Sequence, residues 1–177
     1  MRRTLIRHPD SPCAAVSRIE VEVARPRTGV LALRYLVVAR TGDLHLPPPT
    51  APIRTDELWR RTCFEAFLRE PQGEAYREVN LAPSTQWAAY GFDGYRKGMR
   101  PADGFDAPHI RLRMTADGFE LHAAMELAAA PCRLGLSAVI EEADGRISYW
   151  ALAHPPGKPD FHHADCFALE LPAPEGS

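Results

Sequence analysis

The 177-residue sequence has only two lysines, Lys97 and Lys158, against nineteen arginines, and its basic residues never gather into runs. With a net charge of -2 it lacks the concentrated positive field that nucleic-acid binding needs, so no nucleic-acid partner is expected. No stretch is long and apolar enough to cross a bilayer, and the basic start Met1 to Pro9 is not followed by the apolar run of a secretory signal. A cytoplasmic, soluble protein without a membrane partner is the expectation. Cysteine is sparse too: Cys13, Cys63, Cys132 and Cys166 are widely spaced with no C-x-x-C pair, which excludes a zinc ribbon and a redox dithiol and points to reduced thiols. Also missing are a nucleophile elbow, a phosphate-binding loop and an H-E-x-x-H zinc motif.

What remains is a chain of ordinary globular composition, 45% hydrophobic and 25% charged, long enough for one core and read as a single domain over residues 1–177. Period-two alternation dominates. Ile19, Val21 and Val23 alternate with Arg18, Glu20 and Glu22, predicting a strand with one wet face. Val30 to Val38 is almost continuously apolar, which predicts a central strand covered on both sides. Pro47, Pro48, Pro49 and Pro52 then impose a long loop.

Asp117-Gly118 and Asp144-Gly145 each lie between alternating runs and mark two hairpins. With Thr62 to Arg69, Ala75 to Leu81, Gln86 to Tyr90 and Phe167 to Leu171, about ten strands result, with a short helical turn near Asp56 and a loop near Ala128. The fold class is all-β: an antiparallel sandwich, immunoglobulin- or jelly-roll-like, with little helix.

The most informative residues lie in the segment from Glu57 to Leu68 and the strand that follows it. Alternation sets Tyr76, Glu78 and Asn80 on one face of their strand and Val79 and Leu81 on the other. If Glu65 joins them from the neighbouring strand, donors and acceptors converge beside aromatic rings, as polar, flat-faced ligands such as sugars require. The opposing reading has Trp59 and Trp87 filling the core and Glu65 capping a loop or pairing with Arg61 or Arg77. Trp87 to Arg96 offers a binding rim, but an aromatic strand with a Gly-rich bend is more often packing, and packing is the expectation taken for it.

Trp59 six residues before the Glu of an E-x-F-L strand, followed by Y-x-E-x-N-x-x-P over Tyr76 to Pro83, resembles the family 9 carbohydrate-binding modules and the wider DOMON-like group. The late segments Ser148 to Pro155, Lys158 to His162 and Asp165 to Phe167 are similar to a cytoplasmic bacterial branch of that group, a branch that supplies no ligand by analogy. The likeness covers most of the chain from Leu33 to Leu171. It implies a β-sandwich that binds a small molecule without catalysis, with two aromatic platforms around a terminal sugar as in the sugar-binding members. By that analogy Trp59 is one platform, Glu65 accepts from a hydroxyl, and Phe161 or a reoriented Trp150 is the candidate second platform.

The expectation is therefore a non-catalytic domain holding a saccharide or similar polar small molecule on a concave sheet face, with no cofactor. Its candidate residues are Trp59, Glu65, Tyr76, Glu78, Asn80, Trp150, His154, Asp160, Phe161 and His162. Three other readings stand beside it. His154, Asp160, His162, His163, Asp165 and Cys166 could supply a metal-dependent hydrolase, although H-x(7)-H-H-x-D-C matches no established metal spacing. Glu65 and Glu78 together are a carboxylate pair of the kind glycoside hydrolysis uses. A haem-binding or protein-interaction module is the third, and Met114 and Met125 have no distinctive histidine partner.

Overall fold

In the computed structural model, which describes residues 1–174, hydrogen-bonded ladders account for nearly all regular structure. Twelve strands form, from β1 (Arg2–Arg7), β2 (Val16–Ala24) and β3 (Val30–Ala39) through β4 (Cys63–Arg69), β5 (Tyr76–Leu81) and β6 (Trp87–Phe92). The short β7 (Arg100–Pro101) precedes β8 (His109–Thr115), β9 (Gly118–Glu126), β10 (Cys132–Glu141), β11 (Ile147–Ala151) and β12 (Leu169–Leu171). Helix is limited among the described residues to three 3-10 turns at Thr41–Asp43, Leu58–Arg60 and Ala164–Cys166.

All ladders between strands are antiparallel, in the order β7-β6-β5-β4-β10-β11-β1-β2-β3-β9-β8, with β12 continuing the β10 edge beyond β11. The path bends at β1. Its first residues pair with β2 (Leu5 against Ile19), and its last pair with β11 (Ile6 against Ala151), so one strand passes from one sheet into the other. Two sheets thereby face a shared core. Phe64 of β4 meets Tyr35 of β3 at 4.8 Å and Phe119 of β9 at 6.0 Å between ring centroids, and all three rings are buried. The Tyr35 hydroxyl, which burial would otherwise leave unsatisfied, donates to the Glu65 carbonyl at 2.8 Å and ties the sheets together.

The predicted all-β antiparallel sandwich is what forms, with two strands more than expected. The Asp117-Gly118 hairpin joins β8 to β9, and Gly118 has φ 152 with the Val37 carbonyl too close for any Cβ to fit. One expectation is corrected: β3 is central in its sheet, but its residues alternate between buried and half-buried instead of being covered on both faces. The reason is charge on its outward side, where Arg34 bonds Glu22 at 3.0 Å and Glu120 at 2.7 Å, so that face stays in water. The strands buried on both faces are β4, β6 and β10.

Candidate functional site

In the sheet containing β4, Phe64, Ala66 and Leu68 turn to the core, which by pleat turns Cys63, Glu65 and Phe67 to the opposite face. The ladder registers extend that face across neighbouring strands. Glu65 pairs with Asn80 and with Ser137, while Phe67 pairs with Glu78, which pairs with Tyr90. This second face is not open to water. Two loops fold over it: the Pro-rich segment, whose 3-10 turn delivers Trp59, and the late loop carrying Phe161 and His162 between β11 and β12.

The Pro-rich segment is held along β6 because proline cannot join a ladder but its carbonyl still accepts. Pro52 takes the Trp87 indole N–H at 3.2 Å, and Thr50 N–H donates to the Ser84 carbonyl at 2.8 Å. Trp59 then rests edge-on against Tyr90, with ring centroids 5.7 Å apart. In the late loop, Asp160 anchors the chain by accepting from the His162 backbone N–H at 3.1 Å and from Arg96 at 2.8 Å.

Between face and loops lies a cavity of about 340 Å³, within the size range of small-molecule sites. Its floor follows the strand order: Phe92 on β6, Glu78 on β5, Glu65 and Phe67 on β4, Val139 on β10 and Tyr149 on β11. Trp59, Phe161 and His162 line it from the loops, with Arg96, Met99 and Pro159 completing the lining.

The two carboxyls of the floor are both buried, at 2% exposure for Glu65 and 4% for Glu78. Glu65 accepts from the Ser137 hydroxyl at 2.8 Å, and Glu78 accepts from the Asn80 amide at 2.8 Å. Burial first, and then the charge of Glu78, push the Glu65 carboxyl up to about 8, with the Ser137 hydrogen bond pulling the other way. Glu78 is also raised by burial, opposed by Asn80 and Arg96. At neutral pH the pair therefore holds a proton.

His162 is neutral in the same cavity, brought down to about 4 by burial and then by the positive charge of Arg96, while Asp160 acts in the opposite sense. Its ring is held from both sides: Nδ1 lies 2.7 Å from Tyr76 Oη, which also accepts from the Arg96 backbone N–H at 3.3 Å, and Nε2 lies 3.7 Å from Glu78.

Of the ten residues selected from sequence, the structure brings Trp59, Glu65, Glu78, Phe161 and His162 to the cavity wall. Tyr76 and Asn80 share the face but lie beneath it, where they hold His162 and Glu78 in place. Asp160 lies in an adjoining hollow that shares Arg96 and Pro159 with the cavity. Two do not reach it. Trp150 faces the core, because it pairs with the inward residue Ala138 and gives its indole N–H to Ser148, and His154 bonds the Ile6 carbonyl at 2.8 Å beside His8. Likewise Glu65 pairs with neither Arg61 nor Arg77, since Arg61 bonds Glu141 at 2.7 Å.

Sequence reasoning missed Phe67, Phe92 and Tyr149. The period-two rule that placed Glu65 also places Phe67 two residues on, and Tyr149 has the parity opposite to Trp150. Among the described residues no three His, Cys, Asp or Glu side chains converge as metal ligands, which removes the donor set on which the metal-dependent hydrolase rested. All four cysteines are free, and Cys63 is fully buried with its thiol raised by desolvation. Among the described residues no helix is long and apolar enough to cross a membrane.

No protein-family model and no curated protein matches the chain. Solved structures do. A putative carbohydrate-binding protein from Bacteroides uniformis superposes with a TM-score of 0.59 at 11% identity, covering 93% of this chain and 83% of that one. A family 9 carbohydrate-binding module from Caldicellulosiruptor kristjanssonii in complex with glucose gives 0.52 at 12% identity, covering 83% and 72%. The same module with cellotriose gives 0.53 at 12% identity, covering 83% and 70%. The chain thus has the fold of the family 9 carbohydrate-binding modules.

Proposed function

We propose that this protein is a non-catalytic binding module that takes a saccharide or similarly hydroxylated small molecule into the cavity between the β4–β5–β6 face and the two loops. The observation that carries this reading is the composition of that one cavity: aromatic side chains of Trp59, Phe67, Phe92, Tyr149 and Phe161 around the polar groups of Glu65, Glu78 and His162. Aromatic faces stack on the C–H faces of a sugar ring, and the polar groups answer its hydroxyls. Family 9 modules bound to glucose and cellotriose share the fold, which supports the same class of ligand here.

Isothermal titration against a panel of neutral sugars, amino sugars and nucleotide sugars tests the reading. At least one member binds, and Trp59→Ala weakens that binding by about tenfold or more, since a half-buried aromatic wall contributes chiefly through contact with the ligand. A panel without a binder, or binding indifferent to Trp59→Ala, contradicts it.

A further inference from the structure

Among the described residues arginine accompanies three of the five buried carboxylates. Glu120 has Arg34 at 2.7 Å and Arg113 at 3.0 Å, Glu141 has Arg61 at 2.7 Å, and Glu142 has Arg146 at 3.7 Å together with the backbone N–H groups of Ala14 and Ala15. Glu65 and Glu78 break the pattern. They are as deeply buried as the others, yet among the described residues neither forms an ion pair with an arginine or lysine. The nearest cationic type is His162, held neutral, and Arg96 at the cavity wall gives its guanidinium to Asp160.

Burying a carboxylate without an ion-pair partner is costly, and the Glu65–Glu78 pair meets that cost by keeping a proton, which a bound cation can replace. Both carboxyls line a cavity whose walls also carry aromatic rings. Aromatic faces attract a cation through the negative potential above the ring, most strongly where water is excluded. The two features ask for the same ligand property.

Building on the reading of this cavity as a ligand site, we propose that its occupant is an amino sugar, whose ammonium group lies between Glu65 and Glu78 while its ring faces the aromatic walls. The cavity volume of about 340 Å³ accommodates a sugar ring, and the walls of Trp59 and Phe161 supply the apolar surface that a polyhydroxylated ring needs. When the ammonium arrives, the proton held on Glu65 leaves to solvent and the ligand's charge takes its place.

The test is calorimetric titration of the full chain with glucosamine, N-acetylglucosamine and glucose at neutral pH. N-Acetylation removes the positive charge while keeping the ring. Glucosamine binds about tenfold or more tightly than either of the others, and in Glu78→Gln or Glu65→Gln its affinity falls to that of glucose. The comparison on the unaltered protein decides the matter even if a variant fails to fold. Glucose or N-acetylglucosamine binding as well as glucosamine, with Trp59→Ala abolishing it, overturns the amine assignment and leaves the ligand site standing. Calcium or magnesium alone occupying the cavity in place of the amine overturns it as well. If none of the three sugars binds, the amine assignment falls, and the site falls with it when the wider panel also shows no binder.

Discussion

Urea unfolding of the protein at a series of pH values will show stability falling as pH rises from about 6.5 to about 8, by about 2 kcal/mol, and Glu65→Gln will remove most of that slope. The folded state keeps a proton on Glu65 up to about pH 8, whereas in the unfolded chain the same carboxyl releases it in the ordinary acidic range. A group raised in this way contributes stability that is full below its unfolded value and is lost as pH climbs through its folded value, at about 1.4 kcal/mol per unit. Glu78, raised in the same direction, adds to the trend.

His162 sets the lower edge of the window. Its folded value near 4 lies below the ordinary imidazole range, so acidification charges the unfolded chain first, and its contribution is lost as pH falls below about 6.5. Below that point His162 opposes the carboxyls; above it they act alone. A flat profile between about pH 6.5 and about pH 8, or a slope that survives Glu65→Gln, contradicts the assignment of a proton to the buried pair.

Phe64→Ala is expected to cost about 3 to 5 kcal/mol, the range for deleting a fully buried aromatic ring. The ring joins β3, β4 and β9 across the sandwich, touching Tyr35 and Phe119, so its removal opens a cavity that lies between two sheets and cannot close without moving one of them. That loss is a large share of the roughly 5 to 15 kcal/mol that holds a domain folded. The denaturation midpoint reads it directly. A change below about 1 kcal/mol would mean that the two sheets do not depend on a shared core.

Much of the fold was legible because most of its strands carry their own period. The β8–β9 and β10–β11 hairpins announce themselves by alternation on either side of Asp-Gly, and the pleat alone aligned Tyr76, Glu78 and Asn80. β1 was not legible. Leu5 is its one buried residue, so no period exists to read, and the strand is fixed by partners far away in sequence on β2 and β11.

The site shows the same division. Glu65 and Glu78 could be placed together by parity, but which side of β11 met the cavity depended on its register with β10, and that register sends Trp150 inward and Tyr149 outward. Arg96 and Phe92 fell in the segment read as packing, and both line the cavity instead. Arg96 reaches the wall from a tight turn in which its own backbone is left-handed, at φ 53, a conformation that arginine sequence context does not announce.

On the proposed reading, ligand enters the cavity under the late loop and not some other surface. Two-dimensional NMR of the isotopically labelled protein, titrated with glucosamine and glucose, measures that directly. Shifts are expected to concentrate on the Trp59 indole, the His162 ring and the backbone of Phe92, Tyr149 and Phe161, while the outward face of β3 and β9 stays unchanged. Saturable shifts on the β3–β9 face, with Trp59 and His162 unmoved, would contradict it.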